Sequence, residues 1–185
     1  MATLDGNYID PMNVSARQTG IRWGLILGLI SSVVSLIMYF TGIMESGKST
    51  WISTLASIIP IVVCIYYAQV QHRDNELGGY MSLGRAVTVA LWVGLIAGLI
   101  AVAFILFFFN FVMKDFGDVI INRAVEQAEA QGQDADKVRS SMEMMKWFFT
   151  PAGISMFAFF GTLFYALLGG LIIGLFTKRE SNKPF

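Results

Sequence analysis

The residues Gly42–Ser49 match the GxxxxGK[ST] pattern of phosphate-binding loops letter for letter. In such a loop, backbone amides between a buried strand and a helix cradle the phosphates of a nucleotide. Here the glycines follow an apolar helical stretch, and no hydrophobic strand ending in Asp is present to hold magnesium. We therefore predict that Gly42–Ser49 is a turn that reverses the chain and does not bind nucleotide.

Two further residue types could support chemistry, and each occurs once. His72 could sense pH or carry a proton. It has no second metal ligand beside it, so we predict a solvated residue at the boundary of a helix. Cys64 excludes an internal disulfide and a CxxC redox pair. We predict a buried, inert thiol.

The sequence contains no constellation typical of an enzyme. It lacks a Ser/His/Asp set, an HExxH motif and a pair of carboxylates in an apolar setting. We predict no catalytic, cofactor-binding or metal-binding residue and no cofactor. An enzyme would need a convergent polar cluster at the connection 78–85. The formal net charge of zero gives no basic surface for nucleic acid.

Four long windows without Asp, Glu, Lys or Arg indicate the class of protein. They have 22, 24, 28 and 31 residues: Trp23–Met44, Ser49–His72, Ala86–Met113 and Trp147–Thr177. About 20 apolar residues cross the hydrocarbon core of a bilayer as a helix. Each window reaches that length, and lipid penalises buried charge and unpaired backbone. We predict an all-α integral membrane four-helix bundle, with no ionisable group deep in any span.

The predicted organisation is a polar tail at 1–22, a membrane domain at 23–177 and a basic tail at 178–185. The four spans are expected at about 23–41, 51–70, 83–112 and 151–176. Between the third and fourth lies a hydrophilic segment of 34 residues, Lys114–Trp147. It divides at Gly132 into two helix-like halves, and Phe116, Ile120, Ala124 and Ala128 recur at spacing four in the first. We predict an extramembrane αα-hairpin.

Lys and Arg counts bear on orientation, because cytoplasmic segments are enriched in them. The side with both termini and the connection 71–85 has seven, and the other side has six. Six of the seven lie close to the end of a span, and eight acidic residues accompany the six. We favour cytoplasmic termini and a hairpin facing the periplasm or exterior.

Small residues at every fourth position give each predicted span a face on which helices can approach closely. Packing within the monomer is the simpler interpretation, and a homo-oligomer contact is the alternative. Pro60 removes a backbone donor in the middle of the second span and should kink it. The glycines predicted to pack are Gly20, Gly24, Gly28, Gly94, Gly98, Gly170 and Gly174.

Three short stretches carry a resemblance to a known family. They are Ala16–Gly24, Gly79–Ala86 and Ser141–Lys146 with Thr150-Pro151. Together they resemble the bacterial domain-of-unknown-function family numbered 4199, which consists of small four-span membrane proteins. Leu83 stands where that pattern has an aromatic residue. The resemblance implies a bacterial inner membrane and supplies no catalytic residues.

Two functional hypotheses follow. The first is a non-enzymatic inner-membrane protein that interacts with a protein partner through the hairpin 114–147, or organises the envelope. The alternative is an oligomeric carrier of a small molecule or lipid, for which we expect a central polar cavity lined by Ser35, Tyr66 and Tyr165. In both cases the lipid bilayer is the immediate environment.

Overall fold

Six α-helices form the fold of this protein in a computed structural model that describes residues 14–42, 50–114 and 116–179. The side chains of Phe116 and Ile120 are not described. The helices are α1 Ala16–Phe40, α2 Thr50–Gln71, α3 Leu83–Phe111, α4 Phe116–Ala130, α5 Ala135–Met144 and α6 Pro151–Thr177. A π-helical turn, His72–Glu76, follows α2, and a 3₁₀ turn, Lys146–Phe149, precedes α6. The described residues contain no strand, so the all-α prediction is confirmed.

Four of these helices are long and apolar enough to cross a membrane. The candidate spans are Ala16–Phe40, Trp51–Glu76, Leu83–Phe111 and Pro151–Thr177. Their outer surfaces expose large apolar side chains such as Leu29, Val33 and Phe160 at 62, 54 and 60 %. In water such surfaces would favour association, whereas lipid solvates them. The protein is a multi-pass membrane protein, with four candidate membrane-spanning helices among the described residues.

Side-chain caps fix where several helices begin. Ser15 accepts a hydrogen bond from the backbone N–H of Arg17 at 3.2 Å, so α1 begins seven residues before the predicted start at Trp23. Thr150 accepts from the N–H of Gly153 at 3.1 Å, and Pro151 occupies the first position of α6. Pro60 lies inside an α2 that continues on both sides of it.

The chain divides into two compact units. The first comprises the described parts of 1–100 and 161–185. Its core is made of small and branched side chains of α1, α2, α3 and α6, and Ile65, Val89, Ala90 and Val93 have no exposed surface. Cys64 belongs to this core with 2 % of its surface exposed, as predicted.

Glycines allow close helix contacts within this first unit. A Cβ at Gly24 of α1 would lie 2.7 Å from the Cβ of Ile96 on α3, and one at Gly28 would lie 2.7 Å from that of Ile100. On α6, a Cβ at Gly170 would lie 2.6 Å from the Cβ of Ala90. Real Cβ atoms essentially never approach so closely, so α1 and α6 pack on α3 through glycine. Gly98 is also buried.

The second unit, 101–160, contains α4 and α5, which contact each other across a turn at Gly132. Among the described side chains of α4, Ile121, Val125 and Ala128 are buried. Of the face expected from spacing four, Ala128 is buried and Ala124 is half-buried, and the side chains of Phe116 and Ile120 lie outside the described part. Asp134 accepts hydrogen bonds from the N–H groups of the first turn of α5, as its sequence position indicates.

Candidate functional site: a polar cluster at the charged end of the first unit

Every formal charge in the described part of the first unit lies at one end of its helices. These residues are Arg17 and Arg22 near the start of α1, Arg73, Asp74 and Glu76 after α2, Arg85 in the first turn of α3, and Lys178 and Arg179 after α6. Six are basic and two are acidic. This charged end holds the polar groups that connect the four helices.

His72 lies at the centre of the cluster and has no exposed surface. Its Nδ1 lies 2.7 Å from Oε2 of Glu76, and Nε of Arg85 donates to its Nε2 at 3.0 Å. A guanidinium cannot accept a hydrogen bond, so Nε2 must carry the lone pair and Nδ1 the proton. The ring is therefore neutral. The expectation that His72 is solvated was wrong, because neighbouring helix ends cover it.

Glu76 extends this chain of hydrogen bonds to α1. Its second carboxylate oxygen, Oε1, accepts from the hydroxyl of Thr19, a buried residue on α1. Thr19, Glu76, His72 and Arg85 thus form one continuous polar chain across α1, the π-helical turn and α3. Buried polar groups stabilise a fold when they satisfy each other in this way.

A second branch connects α2 with α3 and α6 through Gln69, which is also fully buried. Its amide nitrogen donates to the carbonyls of Ala86 at 3.1 Å and Gly170 at 3.2 Å, and its oxygen accepts from Thr177 Oγ1 at 2.7 Å. Both N–H groups of the Gln69 amide therefore donate a hydrogen bond. Beside it, Arg73 donates to the Thr177 carbonyl at 3.0 Å and holds both oxygens of Asp74.

The backbone adds two features to the cluster. In the π-helical turn, the N–H of Leu77 donates to the carbonyl of His72 five residues earlier, at 3.1 Å. π-turns occur frequently at functional sites. In addition, Met81 and Arg179 exchange two backbone hydrogen bonds of 2.9 and 3.0 Å. This bridge fastens the connection before α3 to the segment after α6.

Trp23 fastens α1 to α2 at the edge of the cluster. Its indole N–H donates to Oε1 of Gln71 at 2.8 Å, and its ring stacks on Tyr67 with centroids 5.8 Å apart.

Changing Trp23 to Phe removes the hydrogen bond and keeps an aromatic ring. We expect a loss of about 1 kcal/mol in unfolding free energy, measured by detergent-induced unfolding. Trp51→Phe is the control, since Trp51 is 83 % exposed; an equal loss there would contradict the assignment.

The cluster meets the condition stated for an enzyme only in part. Polar side chains do converge near 78–85, but they bond to one another. Among the described residues, the one buried side-chain nitrogen or oxygen without a hydrogen-bond partner is Nη2 of Arg85. In the same part of the chain, no three His, Cys, Asp or Glu side chains are placed to hold a metal ion. Among the described residues, the arrangement joins the helix ends through hydrogen bonds.

The side chains expected to line a carrier's cavity do not converge. Tyr66 and Tyr165 are 46 and 52 % exposed on the outer surfaces of their helices. Ser35 is exposed, and its hydroxyl donates to the Ser31 carbonyl of its own helix at 2.9 Å. An open groove of about 440 Å³ between α2 and α6 is lined by apolar residues and two tyrosines: Val62, Val63, Tyr66, Tyr67, Ile172, Ile173 and Phe176. The described residues thus give no support to a central polar cavity.

Four candidate spans joined by a buried polar cluster define a small polytopic membrane protein. Residues 22–179 match the sequence model of the family described as "Protein of unknown function (DUF4199)". The match covers most of the chain, so the protein belongs to this family, as the resemblance of its short motifs indicated. No curated protein and no solved structure gives a significant match.

The Gly42–Ser49 pattern lies largely outside the described residues. Gly42 itself is described and has a φ of +66°, a conformation typical of a glycine that ends a helix. The preceding element is the membrane-spanning α1, not a strand. The element needed before a phosphate-binding loop is therefore missing.

Proposed function

We propose that this protein is a non-enzymatic protein of the bacterial inner membrane that binds another protein through the hairpin 114–147 and so helps to organise the envelope. One observation carries the proposal. The helix α5 buries none of its ten residues, and its last residue, Met144, is 86 % exposed. A helix that contributes so little to the core of its own unit is well suited to contact a partner.

The residues after α5 extend this exposed surface. Met145, Trp147 and Phe148 are 48, 51 and 40 % exposed. Together with Met144 we call them the Met-aromatic segment. Lys146 fastens the segment to α4, because its Nζ lies 3.0 Å from Oδ1 of Asp118. Methionine and aromatic side chains are enriched in the cores of protein interfaces, which supports a protein partner here.

Photocrosslinking in native membranes tests this proposal. With benzoylphenylalanine at Met144, we expect a discrete protein adduct. The adduct protein should copurify with the wild-type chain and be lost with Met144→Asp. Gln131 is the control position, since it is exposed in the same hairpin before Gly132. Adducts to lipid alone at Met144, or equal protein adducts at both positions, would contradict a partner-binding hairpin.

The charged end of the first unit supports cytoplasmic termini. Its six basic and two acidic residues lie at the ends of membrane-spanning helices, where Lys and Arg favour retention in the cytoplasm.

With Cys64 replaced by alanine, a cysteine at Gln133 should react with an impermeant maleimide on intact spheroplasts. A cysteine at exposed Asn75 should react only after permeabilisation. The reverse pattern would overturn this orientation.

A further inference from the structure

The surroundings of His72 determine where a proton can bind. Oε1 of Glu76 accepts from Thr19, and Oε2 accepts from the Nδ1–H of His72 at 2.7 Å. Both carboxylate oxygens of Glu76 therefore already accept a hydrogen bond. The unprotonated Nε2 of His72 is the ring nitrogen that can take up a proton. It accepts a hydrogen bond from Nε of Arg85 at 3.0 Å.

Two charged groups face the ring directly among the described residues. Glu76 comes from the same π-helical turn, and Arg85 comes from α3. The helix α1 contributes only the hydroxyl of Thr19 through Glu76, and α6 contributes Thr177, which bonds to Gln69 and Arg73. Arg73 is neutralised by its bidentate pair with Asp74. The ring therefore lies between one anion and one cation.

We propose that His72 is a proton-binding site that couples acidification to release of the start of α3 from the end of α2. A proton from solvent binds Nε2 and forms an N–H bond there. Nε2 can then no longer accept from Arg85, so that hydrogen bond breaks. The imidazolium keeps its bond to Glu76, while imidazolium and guanidinium repel each other. Arg85 must move to another acceptor or to water. This proposal is independent of the hairpin.

Two structural features make such a release feasible. Nη2 of Arg85 is buried and has no partner among the described residues, so the bonded position leaves this guanidinium incompletely satisfied. His72 also begins a π-helical turn, whose extra residue can be accommodated by local rearrangement of the end of a helix. A state in which His72 is solvated binds a proton without displacing a cation. Because low pH favours the state that binds more protons, acid favours release.

Nitrogen NMR on the full chain in nanodiscs tests the first step. His72 is the only histidine, so ¹⁵N-histidine labelling gives two ring signals that need no assignment to a residue. At about pH 7.5 we expect Nδ1 protonated and Nε2 unprotonated, and on acidification we expect a second proton on Nε2. Two protonated nitrogens at the higher pH, or the opposite tautomer, would overturn the proposal.

Hydrogen exchange of residues 77–88, corrected for the intrinsic effect of pH, tests the coupling. We expect these amides to exchange at least about tenfold faster once His72 is protonated. Arg85→Leu should abolish this pH dependence, and His72→Gln, which cannot bind the proton, should abolish it too and provides the test if the leucine variant fails to fold. Arg22→Gln is the matched control, because it removes one exposed positive charge from the same end and should behave as wild type. Protonation of His72 without faster exchange would refute the coupling.

Discussion

Replacing Gly20 with alanine is expected to lower the free energy of unfolding by about 2 kcal/mol or more. A Cβ at Gly20 of α1 would overlap the Cβ of Trp92 on α3, and it would lie 3.3 Å from the Trp92 Cα. The Cβ and Cα of Trp92 cannot rotate away as the end of a flexible side chain could. The two helices must therefore separate, which loosens the contacts at Gly24 and Gly28 as well. Unfolding in mixed micelles with increasing dodecyl sulfate measures the loss.

Gly84→Ala is the matched control for this prediction. Gly84 lies in the first turn of α3, is exposed, and has no atom within 4 Å of a built Cβ. Alanine favours a helix over glycine by about 1 kcal/mol, so this variant should be unchanged or slightly more stable. Similar losses for Gly20→Ala and Gly84→Ala would mean that close approach of α1 to α3 is not what Gly20 provides.

The spans could be predicted from sequence because the solvent imposes a simple requirement. A window without charge and long enough to cross the bilayer already specifies a helix. The helices of the second, third and fourth predicted spans, α2, α3 and α6, accordingly begin and end close to the expected positions. The start of α1 differs from the prediction. The charge-free window begins at Trp23, whereas the helix begins directly after its cap, Ser15. Exposed Arg17 and Arg22 are compatible with a helix that projects beyond the hydrocarbon.

The polar cluster could not be predicted, because its partners come from distant parts of the chain. Thr19 lies 57 positions before Glu76, and Thr177 lies 108 after Gln69. One local signal was present: Gln69, His72, Arg73 and Glu76 follow at spacings of three and four and so share one helix face. That pattern indicates a polar face, but only the meeting of four helix ends shows that the face is buried.

Replacing His72 with phenylalanine is expected to lower the free energy of unfolding by about 2–3 kcal/mol. Phenylalanine fills much of the same space, but it offers neither a donor to Glu76 nor an acceptor to Arg85. Glu76 would keep only its bond to Thr19, and Arg85 would have no partner for Nε or Nη2 among the described residues. Glu76 and Arg85 are half-buried, and leaving such charged groups without partners costs more than losing an ordinary hydrogen bond. Micelle unfolding measures the change.

Two comparison variants separate this effect from a general effect of the π-helical turn. His72→Gln can donate to Glu76 and accept from Arg85, so its loss should be clearly smaller. Asn75→Ala alters an exposed residue of the same turn and should stay within about 0.5 kcal/mol of wild type. Equal losses for phenylalanine and glutamine would show that shape, rather than hydrogen bonding, is what His72 provides.

A double-mutant cycle between His72 and Arg85 then isolates their direct interaction. If the two side chains act as one unit, the loss in His72→Phe with Arg85→Leu should be smaller than the sum of the single losses, by about 1 kcal/mol or more. In His72→Phe the Nε of Arg85 loses its acceptor, and in Arg85→Leu the Nε2 of His72 loses its donor, whereas the double variant contains neither of these unpaired groups. Additive losses would mean that the 3.0 Å contact between Arg85 and His72 contributes no coupling energy. The proton-linked release would then lose its energetic basis, because breaking this contact is the step that the proton drives.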